Sequence, residues 1–116
     1  MSSEWKIYHN PRCSKSRKAL ELLHKKGIEP CVIEYLREGL KTKEAEELIK
    51  NSRSDPGDFL RKKEKEFSDY KNTKQDLASS VAKILSKCPK LLERPIVVRR
   101  KKSLIARPPE LIKELF

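Results

Sequence analysis

The sequence predicts an α/β fold built on a small mixed sheet, and three observations carry that expectation. A short apolar strand, an amphipathic helix and a second β-branched strand follow one another within about thirty residues. Two further apolar segments near the C-terminus flank a tight basic turn, as in an antiparallel hairpin. The stretch between these halves has helical periodicity.

Trp5 to Tyr8 reads as the first strand. Asn10-Pro11 is a turn signal, and Ser14 is placed to cap the helix that follows. That helix covers residues 14 to 26, with Ala19, Leu20 and Leu23 among its apolar positions, and stops near Gly27. Cys31-Val32-Ile33-Glu34-Tyr35-Leu36 reads as the second strand. This βαβ order implies parallel pairing and a right-handed crossover. Thr42 caps a second helix running to about Lys50, and residues 51–57 form a loop. Asp58 opens a short helical stretch over Phe59, Leu60 and Arg61, and a highly charged segment spans 63–72. Thr73 with Asp76 resembles a capping box, after which Leu77, Val81, Ile84 or Leu85, and Cys88 recur at helical spacing until Pro89. Ile96-Val97-Val98 and Leu104-Ile105-Ala106 form the hairpin. Pro109 suits the first turn of a final helix, with Leu111, Ile112 and Leu115 facing inward. The expectation is one domain over residues 1–116, ordered βαβ, helical insertion (about 38–90), ββα, which is the thioredoxin-like arrangement.

The chain has 116 residues, 36% hydrophobic and 39% charged, with 28 Lys+Arg against 17 Asp+Glu and a net charge of +11. That charge raises nucleic acid or an anionic substrate as partners. The basic residues are scattered along helices among glutamates. Only Arg99-Arg100-Lys101-Lys102 is a dense run, and a solvated hairpin turn accounts for it, so a nucleic-acid partner is not expected. No stretch approaches ~20 apolar residues, and the N-terminus has no signal-peptide apolar region. The three widely spaced cysteines have no zinc-like pairing. They fit reduced thiols in a cytoplasm, with no metal and no disulfide framework. A monomer is expected at this size.

The chemistry gathers at Cys13. It lies at or just before a helix N-terminus, where unpaired N–H groups and the positive end of the helix dipole favour an anion. Arg12, Lys15 and Arg17 add positive charge. All of this favours the thiolate, the nucleophilic form, and the same N–H groups suit a bound oxyanion. Cysteine is often a small buried hydrophobe, but polar, cationic, turn-forming flanks argue otherwise here. Ser16 makes the motif C-x-x-S, so an outside thiol must resolve any intermediate. Cys31 begins a strand and Cys88 lies on an apolar helix face, and both are expected to pack in the core. His9 and Ser16 are expected to tie the loop together beside the sulfur. His24 reads as a surface residue. Arg61, Arg94 and Arg107 each stand where an apolar run ends. Guanidinium groups suit a tetrahedral oxyanion, and a cis bond is expected at Arg94-Pro95.

These residues match a family. Tyr8-His9-Asn10-Pro11-x-Cys13-x-x-Ser16-Arg17 resembles the loop of the glutaredoxin-dependent arsenate reductases of the ArsC type. Leu60-Arg61-Lys62, Glu93-Arg94-Pro95-Ile96-Val97-Val98 and Ile105-Ala106-Arg107-Pro108 resemble that family's three arginine segments, in order and over essentially the whole chain. The more basic loop, and an end at Phe116 where longer members carry a tail, point to a shorter subgroup. The resemblance implies a cytoplasmic arsenate reductase with Cys13 as nucleophile. Arg61, Arg94 and Arg107 bind arsenate or a similar oxyanion, and His9, Asn10, Ser16, Arg17 and Pro95 support the loop. Glutathione is the co-substrate, glutaredoxin the partner, and no cofactor is bound. Two alternatives remain at this point. One is a regulator resembling the Spx proteins, which bind RNA polymerase, although those typically carry C-x-x-C. The other is a general monothiol, glutathione-linked reductase.

Overall fold

The computed structural model describes residues 4–116. Two compact units appear along the chain: one runs to Glu38 and resumes over Arg94–Phe116, and the other is Gly39–Glu93. The second occupies the stretch read above as the helical insertion.

The first unit holds a four-stranded mixed sheet in the order β2-β1-β3-β4. Strand β1 is Trp5–Tyr8, β2 Cys31–Ile33, β3 Ile96–Arg99 and β4 Lys102–Ile105. β1 runs parallel to β2, with Ile7 opposite Val32, and antiparallel to β3, with Ile7 opposite Val97. β3 pairs antiparallel with β4. The central strands are almost wholly buried, which is why β3 is a continuous apolar run, whereas the edge strand β2 is largely exposed. Helix α1, Ser14–Lys25, sends Ala19 and Leu23 into a core with Trp5, Ile7, Val97, Ala106, Ile112 and Leu115.

Helix α1 ends in a Schellman motif. The Ile28 N–H donates to the Leu23 carbonyl (3.0 Å) and the Gly27 N–H to the His24 carbonyl (2.9 Å). Gly27 sits at φ +75°, a conformation that costs a side-chain-bearing residue and not glycine. Ile28 packs back against the core beside Leu23, as that motif requires.

Several local expectations give way. The second strand stops at Ile33, and Tyr35–Glu38 forms a single helical turn, α2. Its cause is a reciprocal tie: the Glu34 N–H donates to the Glu38 carboxylate (2.9 Å) while the Glu38 N–H donates to the Glu34 carbonyl (2.9 Å). Cys31 is exposed and does not pack in the core, because β2 is an edge. The N-cap of α1 is Cys13, and Ser14 is the first helical residue. The final segment, Pro109–Leu115, is 3₁₀-helical; Ile112 and Leu115 are buried but Leu111 only partly so. The β3–β4 turn is Arg100-Lys101, with Arg100 at φ +57°. The basic run is a hairpin turn as expected, and Glu4 pairs with both Arg99 (2.6 Å) and Arg100 (3.5 Å). Arg99 also lies over the Trp5 ring and donates to the Leu115 carbonyl (2.6 Å).

The second unit packs α3, Thr42–Lys50, against α4, Ala78–Lys87. Ala45, Leu48 and Ile49 face inward from α3, and Val81, Ala82, Ile84 and Leu85 from α4. Lys41, not Thr42, is the N-cap of α3; the Glu44 carboxylate accepts its N–H (3.3 Å). Thr73 and Asp76 do not cap α4, whose N-cap is the exposed Leu77. Asp58 closes a 3₁₀ turn, Pro56–Phe59, instead of opening a helix, and its carboxylate accepts the Asp55 N–H (3.1 Å). The charged stretch holds a second 3₁₀ turn, Lys65–Asp69. Cys88 is the half-buried C-cap of α4.

Replacing Leu23, which is fully buried, by alanine is expected to cost about 2–5 kcal/mol. The same change at Leu77, 48% exposed, is expected to stay within ~0.5 kcal/mol. Urea unfolding of the two variants checks both values.

Candidate active site

The loop between β1 and α1 is closed by short polar bonds. The His9 N–H extends the β1–β2 ladder to the Ile33 carbonyl (2.8 Å). Asn10, buried, then organises the turn from both ends of its own residue. Its carbonyl accepts the Cys13 N–H (3.0 Å), and its side-chain Oδ1 accepts the Arg12 N–H (3.0 Å). Such an Asx turn is what asparagine favours. Ser16, fully buried in the first turn of α1, reaches back to the end of β1. Its Oγ accepts the Asn10 N–H (3.0 Å) and lies 2.6 Å from His9 Nδ1. Arg17 Nη1 donates to the Pro11 carbonyl (2.8 Å) from outside. Pairing of His9 with Ser16 is as expected from the sequence.

His9 is pushed below the ordinary histidine range, first by burial; nearby Glu34 pulls the other way and Arg17 reinforces the fall. A neutral ring with its hydrogen on Nε2 lets the Ser16 hydroxyl donate to Nδ1 while its lone pairs take the Asn10 N–H. His9 is therefore a hydrogen-bonding brace and not a cation.

The brace leaves Cys13 half-buried as the N-cap of α1, in extended conformation. Partial burial raises its pKa, but the Ser16 N–H, the Arg94 guanidinium and the Lys15 N–H favour the thiolate and outweigh that rise. The net shift is downward, toward the thiolate. The first turn of α1 contains no acidic residue to oppose it.

Arg94 reaches the sulfur from the segment entering β3. The Arg94–Pro95 bond is cis, as expected, and so is Arg107–Pro108. Pro95 is buried, and its carbonyl accepts the Ala106 N–H (2.9 Å). Arg107, exposed just beyond β4, donates from Nη1 to the Arg94 carbonyl (3.1 Å). Cys13, Arg94 and Arg107 are thus linked through contacts within one unit. Arg61 belongs to the second unit. There its N–H donates to the Leu91 carbonyl (2.8 Å), and its guanidinium pairs with Glu64 (2.7 Å). The sequence reading overlooked Glu64, which a turn after Leu60 brings back to Arg61; its N–H donates to the Arg61 carbonyl (3.1 Å). It also overlooked Glu34, whose charge acts on His9.

Neither remaining cysteine forms part of this loop. Cys31 sits opposite Lys6, two residues from the loop end of β1, and Cys88 is in the second unit. Among the described residues, no group of three or more His, Cys, Asp or Glu side chains is arranged to hold a metal.

A family model described as the ArsC family matches residues 8–115. The chain belongs to the ArsC family. An arsenate reductase of Haemophilus influenzae is 37% identical over 112 residues, covering 95% of this chain and 97% of that protein. The uncharacterized protein YfgD of Escherichia coli K12 is 38% identical, covering 99% of this chain and 98% of its own length. The solved structure of an arsenate reductase from Vibrio cholerae superposes with a TM-score of 0.88 at 34% identity, covering both chains completely. The sheet order, the helices and these neighbours make the fold thioredoxin-like. The β1–α1 loop and the Arg94–Pro95 segment are the elements that meet at Cys13.

Two measurements follow from this geometry. The pH midpoint for alkylation of Cys13 by iodoacetamide is expected below the ordinary thiol value of about 8.5, and Arg94→Ala should move it up. Ser16→Ala removes the acceptor of the buried Asn10 N–H and should cost about 1–3 kcal/mol in urea unfolding.

Proposed function

We propose that this protein reduces arsenate to arsenite with Cys13 as nucleophile and glutathione with glutaredoxin as reductant. The observation that carries the reading is Cys13 at the N-cap of α1, its ionised form favoured by two helix N–H groups and the Arg94 guanidinium, in a chain of the ArsC family. Anion-binding groups converge where a tetrahedral oxyanion would contact a nucleophilic sulfur.

In the proposed cycle, the Cys13 thiolate attacks arsenic, an S–As bond forms and water leaves. A glutathione thiol condenses on arsenic and a second water leaves. A glutaredoxin thiolate then attacks the glutathione sulfur. The new S–S bond leaves with glutaredoxin, and the electron pair of the broken As–S bond stays on arsenic, taking As(V) to As(III). Water cleaves the Cys13–As bond, releasing arsenite and the thiolate. Arg94 and Arg107 balance the oxyanion charge and orient it for attack; the family resemblance adds Arg61 to this set. Phosphate shares the shape and charge of arsenate but has no easy reduction, so its place in this reading is as an inhibitor.

The test is NADPH oxidation coupled through glutathione and glutaredoxin, with and without arsenate, beside a thioredoxin-coupled arm. Arsenate-dependent turnover in the glutaredoxin arm is the expected result. Turnover only with thioredoxin would replace the reductant, and none in either arm would remove the substrate. Cys13→Ser should reduce turnover to background. Arg94→Ala should lower kcat/KM on the order of 10²-fold, the usual loss when one oxyanion donor is removed.

A further inference from the structure

Between Trp5 and Leu20 the chain carries five cations, Lys6, Arg12, Lys15, Arg17 and Lys18, and no acidic residue. They differ in what they already do. Arg17 is occupied by the Pro11 carbonyl, and Lys18 lies 3.9 Å from Glu21. Lys6 is on β1, opposite Cys31. Arg12 and Lys15 are exposed, and no ion pair found among the described residues involves either.

Their positions single them out further. Arg12 immediately precedes Cys13, and its backbone is held by Asn10 Oδ1. Lys15 follows two residues later in the first turn of α1, and its N–H favours the Cys13 thiolate. Helical side chains lean toward the helix N-terminus, so the Lys15 stem leans back over the end of α1 where Cys13 stands. Both exposed cations stand within two residues of Cys13 along the chain, where consecutive Cα atoms are about 3.8 Å apart. Arg94 and the N–H groups of Lys15 and Ser16 act on the sulfur itself. An outer pair of unneutralised cations fits a second anionic species that approaches Cys13 from solvent.

We infer that the Arg12 and Lys15 side chains form a carboxylate-recognition rim that selects an anionic, carboxylate-bearing thiol of the glutathione class as the resolving partner of Cys13. The inference rests on the reading of Cys13 as the nucleophile. The C-x-x-S motif requires an external thiol, and glutathione carries two carboxylates and one ammonium. A cationic rim raises its local concentration and orients its sulfur, while a neutral thiol gains nothing from it.

The test uses thiol–disulfide exchange and needs no arsenate. The Cys13 thiolate attacks one sulfur of a disulfide, forming a mixed disulfide and expelling the other sulfur as a thiolate. Rates at Cys13 are followed by mass spectrometry in a Cys31→Ser background, with oxidised glutathione and with neutral hydroxyethyl disulfide. The ratio of the two rates cancels any change in the reactivity of Cys13 itself. The double variant Arg12→Ser/Lys15→Ser should lower the glutathione-to-neutral ratio roughly three- to tenfold, the range two exposed ion pairs supply. Arg12→Glu/Lys15→Glu should lower it further, and added salt should shrink the differences. An unchanged ratio in both variants overturns the rim. An unchanged ratio combined with weaker turnover by glutaredoxin overturns it in favour of an acidic protein surface. A lowered ratio in a protein without arsenate turnover removes the arsenate reading and leaves the rim supported.

Discussion

The Ser16 hydroxyl is the contact on which the site depends. Its oxygen sits inside the first turn of α1, fully buried, and holds the Asn10 N–H and His9 Nδ1 at the end of β1. A strand end and a helix start are thereby joined through one atom. Without that joint, the turn over Asn10, Pro11 and Arg12 would be free to swing, and the N–H groups of Lys15 and Ser16 would not stay aimed at Cys13. A buried hydroxyl satisfied on both sides is also stiff, because every departure leaves a polar group unpaired in a dry place. The C-x-x-S spacing therefore has a structural meaning beyond the missing second thiol: the same residue supplies a backbone donor to the sulfur and a side-chain brace to the loop.

Charge then decides how the braced loop behaves. Burial works against ionisation of Cys13, and only several donors acting together overcome it. Neutral His9 takes no part in that balance as a cation, since burial holds its proton affinity down. The stabilising groups are backbone dipoles and the Arg94 guanidinium. A thiolate paired with an imidazolium would lose its partner as pH rises.

Much of this was readable from residue types. The βαβ order, the hairpin, the boundaries of α1 and its end at Gly27 follow from periodicity and glycine conformation, which are local. The Cys13 loop followed from turn chemistry at Asn10-Pro11 and from the helix after it. What misled was local pattern overridden by a specific bond or by position in the sheet. Tyr35 and Leu36 continue an apolar β-branched run, yet the Glu34–Glu38 tie winds them into a turn. Cys31 has strand neighbours typical of a core, yet β2 is an edge, and edge status depends on which strands come later. Thr73 and Asp76 have capping-box spacing, but helix α4 begins at Ala78. The pairing of Arg94 with Cys13 brings together residues more than eighty positions apart, and the expectation of it came from the family pattern and not from spacing.

The large positive charge takes on a different aspect once the paired cations are set aside. Arg99 and Arg100 share Glu4, Lys25 and Lys18 share Glu21, Lys50 pairs with Glu46, and Lys90 with Glu66. Exposed pairs of this kind contribute little to stability, but they do remove field from the surface around them. The segment from Trp5 to Leu20 has no acid of its own, and among the described residues only Lys18 of its five cations has an acidic neighbour, Glu21. At Cys13 itself the side-chain charge that acts on the sulfur is that of Arg94. The chain-wide excess of lysine and arginine is thus partly offset by these pairs, while the stretch between Glu4 and Glu21 carries five cations and no acid of its own.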